Sequence, residues 1–396
     1  MANEQNNVMS KWNVILGSIT ALAAVVVFLV VGIKAIQINL NDTNRRLEMV
    51  HIIMRHGERT PASTYPNDPH KDNNLYPIGW GQLTNKGKLT LYEIGKYYRE
   101  RYGKFVGDIY SPDEYYTQST DVDRAKASMQ LVNAGFWPPK GDQVWGPLNW
   151  QPIPIHTEPL EQDSLLLVRK PCPKYHKEKE KVKKSKEVQD LLKQYEELFK
   201  ELTDITGQEV HDFEDVQDIY TTLQAEEKFG LNLPNWTHNY YPSKMHFPTV
   251  RSFVLKAFND DMNRLIGGVL LKKLMEDWTT KIEGKNNFKA FLYGGHDQTV
   301  VNLLSTLKIW DEQLPDYAIT VLFELYKDTS TDEYGVEIYL RNSTQVPPFK
   351  LVVPGCTSFC PVPKLKQLTK NVIPDNWEEE CQIDDKNYVV PSLGGP

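Results

Sequence analysis

The chain has 396 residues, 40% hydrophobic and 24% charged, with a formal net charge of −7. These shares are those of an ordinary globular protein, and the length suits one large domain or two modest ones. The acidic balance excludes a nucleic-acid-binding surface as the main business of the protein, though not a local basic pocket.

Residues 1–13 precede a run of twenty uncharged positions, 14–33, bracketed by Lys11 and Lys34. Such a run is long enough to cross a bilayer as a helix. A cleaved signal peptide has a shorter apolar core and a small-residue cleavage site. Here the small-residue steps lie inside the run, which favours an uncleaved signal anchor. Basic residues flank both ends, so they do not orient it. Three glycosylation acceptors, Asn41, Asn235 and Asn342, each stand two residues before a threonine, and each is a weak signal alone. The four cysteines, Cys172, Cys356, Cys360 and Cys381, are an even count that suits an oxidising compartment. Cys356 and Cys360 could form half of a metal site, but no second pair is near, and a disulfide is favoured. The reading is therefore a cytoplasmic N-terminus and a luminal or extracellular body, in a lysosome, at the cell surface, or secreted after cleavage.

Residues 34–47 read as a polar stalk, and 49–54 as a buried strand. The strand runs into Arg55-His56-Gly57-Glu58-Arg59-Thr60-Pro61. Guanidinium groups match phosphate oxygens, imidazole offers a nitrogen nucleophile, and glycine lets the backbone turn tightly. Residues 61–80 read as a loop. Thr84 caps a helix to about 102, carrying Leu91, Ile94, Tyr98 and Tyr102 at helical spacing. Residues 115–118 look extended, and Ser119-Thr120-Asp121 reads as the cap of a second helix. This alternation is the signature of a sheet covered by helices.

The Trp- and Pro-rich stretch 145–154 marks the exit from the sheet into a mainly helical insertion, 146–282, whose last helix is assignable to either part. Residues 185–204 predict one amphipathic helix. The lysine–glutamate run 176–186 reads as a solvated turn and loop rather than a membrane or acidic-partner patch. The sheet resumes with a strand at 288–293, ended by Gly294-Gly295-His296-Asp297, then a helix at 299–307. Strands at 319–326 and 336–341 follow, joined by a turn. The expected fold class is α/β. A mixed sheet flanked by helices (48–145 and 283–382) carries an inserted helical domain, follows one transmembrane helix, and ends in a tail, 383–396.

Three polar clusters sit where such proteins place their sites, at strand ends opening onto helices: Arg55-His56-Arg59, Asp123-Arg124 and His296-Asp297. Together with Gly81-Gln82-Leu83-Thr84, residues 119–124 (STDVDR), residues 149–154 (NWQPIP) and Pro354-Gly355-Cys356, they resemble the histidine acid phosphatases. The similarity is to the lysosomal and prostatic type, particularly insect lysosomal and venom enzymes, and runs from about residue 48 to 381. The resemblance implies hydrolysis of phosphate monoesters or phosphoproteins without cofactor or metal, often by a homodimer. Carried over position by position, it implies that His56 attacks phosphorus to form a phosphohistidine. Arg55, Arg59, Arg124 and His296 would hold the phosphoryl oxygens, and Asp297 would protonate the leaving alcohol. It also implies the disulfides Cys172–Cys381 and Cys356–Cys360.

Two departures stand out. Gln118 replaces an arginine of several relatives, implying altered support at the rim or in the fold, and Gly294-Gly295 would loosen the turn before His296. Two rival readings are a phytase-like inositol-polyphosphate phosphatase, for which the loop 61–80 offers only Lys71 as an extra cation, and a non-catalytic surface binding protein on the same fold. Retention of both His56 and Asp297 speaks against the second.

Overall fold

In chain order the elements are β1 (Arg45–Arg55), α1 (Asn85–Val106), β2 (Tyr115–Ser119), α2 (Asp123–Phe136), α3 (Pro173–Lys183), α4 (Lys186–Lys193), α5 (Glu196–Thr206), α6 (Phe213–Phe229), α7 (Ser243–Leu255), α8 (Asp260–Leu265) and α9 (Gly267–Ile282). They continue with β3 (Ala290–Gly295), α10 (Asp297–Thr306), β4 (Thr320–Asp328), β5 (Tyr334–Arg341), β6 (Phe349–Leu351), β7 (Cys360–Pro361), α11 (Val362–Thr369) and α12 (Trp377–Glu380). This is a computed structural model, and it describes residues 44–342, 346–385 and 387–391. The expected membrane segment, the stalk up to 43, and Asn41 lie outside those residues. Among the described residues no helix is long and apolar enough to cross a membrane. The stalk boundary is corrected, because β1 already begins at Arg45.

The chain divides into two units. The larger takes Leu47–Tyr326 with Tyr334–Pro396, the smaller Met1–Arg46 with Lys327–Glu333. Within the smaller, the Asn44 carbonyl accepts from the backbone N and Oγ1 of Thr329 at 2.7 and 2.8 Å.

The sheet runs in the order β2-β3-β1-β4-β5-β6, with β7 against β5. It is mixed: β1 and β2 both lie parallel to β3, while β6 and β7 are antiparallel to β5. Arg55 stands opposite Gly295 and Ser119 opposite Gly294. Three parallel strands therefore end level, and the next residue of each chain segment, His56, Thr120 or His296, emerges at one edge. Parallel sheets are covered on both faces, and the period-two alternation of β1 sorts its side chains accordingly. Met49 and Ile53 pack with Leu270, Leu274 and Trp278 of α9 and with Leu303 of α10. Val50, Ile52 and Met54 pack with Leu91 and Ile94 of α1 and with Met129 and Val132 of α2. Each such side chain contributes on the order of 2 kcal/mol of burial.

Helices α3 to α7 share a core of their own, including Leu198, Phe199, Phe213, Val216, Leu223 and Met245. Two sequence expectations fail in this part. The single helix over 185–204 is two, α4 and α5. The chain bends at Tyr195, whose ring stacks on Phe247 and meets Phe213 edge-on. The run 176–186 is not a solvated loop, since most of it is α3, in which His176 and Val182 are buried. Thr84 does cap α1, accepting from the Gly87 N–H at 2.9 Å. The cap reading of Ser119-Thr120-Asp121 is wrong: the α2 cap is Val122, with no side-chain bond. Gln118 is buried, accepts from the Tyr116 hydroxyl and bridges to His156, so it supports the fold. Cys172 bonds Cys381 across 209 residues, and Cys356 bonds Cys360.

One buried group gives the fold a pH dependence. Glu226 of α6 is fully buried, and its carboxyl oxygens lack a well-formed hydrogen bond. Burial first, then Asp68 beside it on the loop 61–80, pushes its pKa up to about 8 from 4.5. Tyr65, also buried, is the other titratable neighbour. Because the folded pKa lies above the unfolded one, the bound proton stabilises the fold fully below pH 4.5, and that stability is lost as pH rises toward 8. By pH 7 the loss is on the order of 3 kcal/mol. Glu226→Gln is expected to flatten the fall in melting temperature between pH 5 and pH 7.5, measured by thermal unfolding; an unaltered fall would show that other groups set it.

Candidate active site

His56 follows β1 directly and is almost fully buried. Its Nδ1 lies 2.9 Å from the Gly57 carbonyl, and its Nε2 accepts from Arg124 Nε at 3.1 Å. A carbonyl cannot donate, and an arginine N–H cannot accept. The proton therefore sits on Nδ1, and the lone pair of Nε2 points into the cavity. Burial, then Arg124, Arg55, His296 and Arg59 in turn, holds the imidazole well below its usual range. It stays neutral and nucleophilic in acid.

The cations around it are held by backbone and by one carboxylate. Arg55 donates to the Pro315 carbonyl at 2.7 Å, pairs with Asp297 at 2.9 Å, and lies 4.4 Å from the centre of the Tyr317 ring. Arg59 donates to the Thr60 carbonyl at 3.0 Å. The Nε–H groups of Arg55 and Arg59 are buried without a partner among the described residues, so unused donors gather around one imidazole. Burial, then Arg59 and Arg55, brings even the Arg124 guanidinium down to about 10. His296 contacts Thr120 Oγ1 through Nε2 at 3.0 Å, and its ring lies 5.4 Å from that of His56. Burial, then Arg124, lowers it to about 3, so it too is neutral in mild acid.

Asp297 opens α10, and its Oδ1 accepts from the Gln298 N–H at 2.7 Å. Burial pushes its pKa up, but Arg55 and then His296 outweigh that and hold it below the usual carboxylate range. The turn before His296 is tight, not loosened. A Cβ on Gly294 would lie 2.6 Å from the Met129 side chain, and one on Gly295 2.5 Å from Thr299 Oγ1. That hydroxyl accepts from the His296 N–H and donates to the Leu166 carbonyl.

His56, Arg55, Arg59, Arg124, His296 and Asp297 all line one cavity of about 460 Å³. Asp123 of the second cluster does not, since it is exposed and pairs with Lys126. The sequence reading missed Tyr317 and Thr120, and also Arg169, Lys179 and Lys256, which line the same cavity. Thr120 lies inside the STDVDR stretch but was read there only as part of a helix cap. The others are far apart in sequence and are brought in only by packing of the helices. Among the described residues no cluster of potential metal ligands is found. A neutral imidazole facing several guanidinium groups, with one carboxyl at the rim, is equipped to take a phosphoryl group from an ester.

Residues 46–341 match the family model of the histidine phosphatase superfamily (branch 2). The chain is 37% identical over 344 residues to prostatic acid phosphatase of Rattus norvegicus, covering 85% of this chain and 89% of that one. It is 34% identical over 347 residues to lysosomal acid phosphatase of Homo sapiens, covering 86% and 81%. Among solved structures, a phytase of Hafnia alvei in complex with tartrate matches with a TM-score of 0.65 at 17% identity, covering 86% of this chain and 99% of that one. That last likeness shows the fold alone.

Removing the donor that faces His56 should raise the proton affinity of its Nε2. Arg124→Gln is expected to move the acidic limb of the kcat/KM profile to higher pH and to lower kcat by roughly 10²–10³. A loss of rate with an unmoved limb would mean that Arg124 does not set the charge state of His56.

Proposed function

The chain belongs to branch 2 of the histidine phosphatase superfamily and is an acid phosphatase hydrolysing phosphate monoesters, and we propose that it does so through a phosphohistidine on His56. The observation that carries this reading is the hydrogen-bond pair on that imidazole. The Nδ1–H is spent on Gly57, and Nε2 is unprotonated beneath three guanidinium groups.

An incoming phosphoryl group draws Arg124 off Nε2 onto its own oxygens and frees the lone pair. Arg55, Arg59 and His296 bind the remaining oxygens and disperse the charge of the transition state. Nε2 attacks phosphorus, the phosphorus–oxygen bond to the alcohol breaks, and Asp297 gives its proton to the leaving oxygen. A water molecule then loses a proton to Asp297 and attacks the phosphohistidine, which restores His56. Arg55, paired with Asp297, favours its ionised form. A phosphate dianion beside Arg55 competes for that charge and raises the carboxyl's proton affinity, so the acid forms where the ester is bound.

A phytase-like second reading gains from Arg169, Lys179 and Lys256 in the cavity wall. Lys179 is paired with Glu214, however, Lys256 donates to Gln217, and Lys71 is turned to the Pro66 carbonyl. With Glu214 and Asp218 in the same wall, a polyanionic substrate is the weaker fit.

The relatives named lysosomal and prostatic suggest a lysosomal or secreted location. The apolar run 14–33 supports a membrane anchor with the body luminal or extracellular, and the disulfides suit that side. Asn235 is exposed, whereas the Asn342 amide donates to the Leu314 carbonyl and accepts from Asp316; this favours glycosylation at Asn235. A homodimer is supported by the apolar group Val144, Trp145, Leu148 and Trp150, all exposed.

Radiolabelled phosphate should be trapped on the protein when a brief incubation with an ester is stopped with alkali, and His56→Ala should abolish both label and turnover. Substantial activity in that variant would sink the covalent scheme. Asp297→Asn should slow esters of poor leaving groups more than p-nitrophenyl phosphate; equal slowing would remove Asp297 as the proton donor.

A further inference from the structure

Beyond the phosphate end, the cavity is walled by one face of α6. Glu214, Gln217, Asp218 and Thr221 all line it, and their spacing of three, four and seven places them on one side of the helix. The opposite side, Val216, Ile219, Tyr220 and Leu223, is buried in the helical core. The helix is thus amphipathic, with its polar face turned to the catalytic cavity.

These four residues are not equally available. Glu214 is ion-paired with Lys179 at 2.8 Å and Lys183 at 3.4 Å. Burial opposes its charge, but Lys256, Lys179 and Lys183 outweigh that and hold it down at about 2. The Gln217 Oε1 accepts from Ser252 Oγ at 2.6 Å and Lys256 Nζ at 3.0 Å. An ammonium only donates, so the amide orientation is fixed and its two N–H donors are left over. Among the described residues only the Asp218 backbone carbonyl accepts from a side chain, that of Thr221; the carboxylate has no hydrogen bond or ion pair from any side chain. Burial, against the pull of Lys256 and with the help of Asp215, Glu214 and Asp212, pushes it up to about 6. In mild acid it can therefore donate as well as accept. The larger apolar groups in the lining, Leu167, Val168, Ile266 and the ring of Tyr175, are few against this polar wall.

We propose that Asp218, assisted by the amide of Gln217, determines specificity for the alcohol half of the substrate and selects polyhydroxylated leaving groups, the sugar and polyol phosphates, over flat aromatic ones. A carboxyl that donates and accepts, beside a fixed pair of amide donors, complements vicinal hydroxyls. An aromatic ring in the same place leaves all of these groups without partners. The assignment rests on the phosphate end lying at His56, and its test must keep the two apart.

The test compares glucose 6-phosphate with 1-naphthyl phosphate at pH 5, for the wild-type chain, Asp218→Leu and Asp218→Asn. The ratio of kcat/KM for the sugar ester to that for the aryl ester is expected to fall about tenfold in Asp218→Leu, the worth of one hydrogen bond to a charged or strongly polar partner. The fall should reside in KM of the sugar ester. Asp218→Asn, which still donates and accepts, should keep most of the ratio. An unchanged ratio in Asp218→Leu, or an equal loss in both variants, would overturn the assignment. A wild-type chain that releases phosphate from neither ester would instead overturn the phosphatase reading.

Discussion

A buried imidazole kept neutral by surrounding guanidinium groups is the constraint on which the rest of this structure depends. Arg55, Arg124 and His56 are each more than nine-tenths buried, and among the described residues Asp297 is the carboxylate paired to the cluster. Gathering like charges out of water is costly, by several kcal/mol per uncompensated ion. Donors with no partner, such as Arg55 Nε and Arg59 Nε, add to that cost. A tetrahedral anion relieves both at once. Such a site is a poor environment for its own charges and a good one for a phosphoryl group, which is the condition for electrostatic catalysis by groups already in place.

Holding such a site requires a frame that does not yield, and the sheet supplies it. Because β1 and β2 both run parallel to β3 with their ends level, His56, Thr120 and His296 are positioned by backbone ladders rather than by loops. The frame extends into the side chains. Gly294 and Gly295 let Met129 and Thr299 close against the strand end, and Thr299 then holds the His296 N–H. Arg55 is clamped from three directions, by Pro315, Asp297 and the Tyr317 ring. The helical part is joined to the C-terminal segment through Cys172–Cys381, which ties down the start of the stretch that carries α6.

What the sequence made legible, and what it hid, follows from the range of the forces involved. Arg55, His56 and Arg59 lie within five residues, and His296 and Asp297 are adjacent; strand endings and a threonine cap are also local signals. Thr120 was misread because a hydroxyl before a helix usually caps it. Here it faces His296 from a neighbouring strand, a pairing set by sheet order alone. The break between α4 and α5 was invisible for a similar reason. Periodicity predicts one helix, and only the stacking of Tyr195 on Phe247, fifty residues on, rewards the bend. The lysine–glutamate run resembled a solvated face because its charges are mixed. Yet Lys179 turns inward to Glu214, a partner on another helix. Pairings across helices carry no signature in either segment.

The acidity of the reaction also finds a physical origin in two opposed titrations. The imidazoles of His56 and His296 remain neutral far below their ordinary range, so protons would not disable the proposed nucleophile in acid. That same shift destabilises the fold as pH falls below 6.5, since the unfolded chain gains protons the folded one refuses. Glu226 works in the other direction, adding stability as pH falls from about 8 toward 4.5. It does so from α6, against Asp68 of the loop that also carries Ala62 and Ser63 of the cavity wall, where Ser63 meets Thr222 of the same helix. A carboxyl outside the proposed site thus offsets, in acid, the instability that the two buried histidines create there.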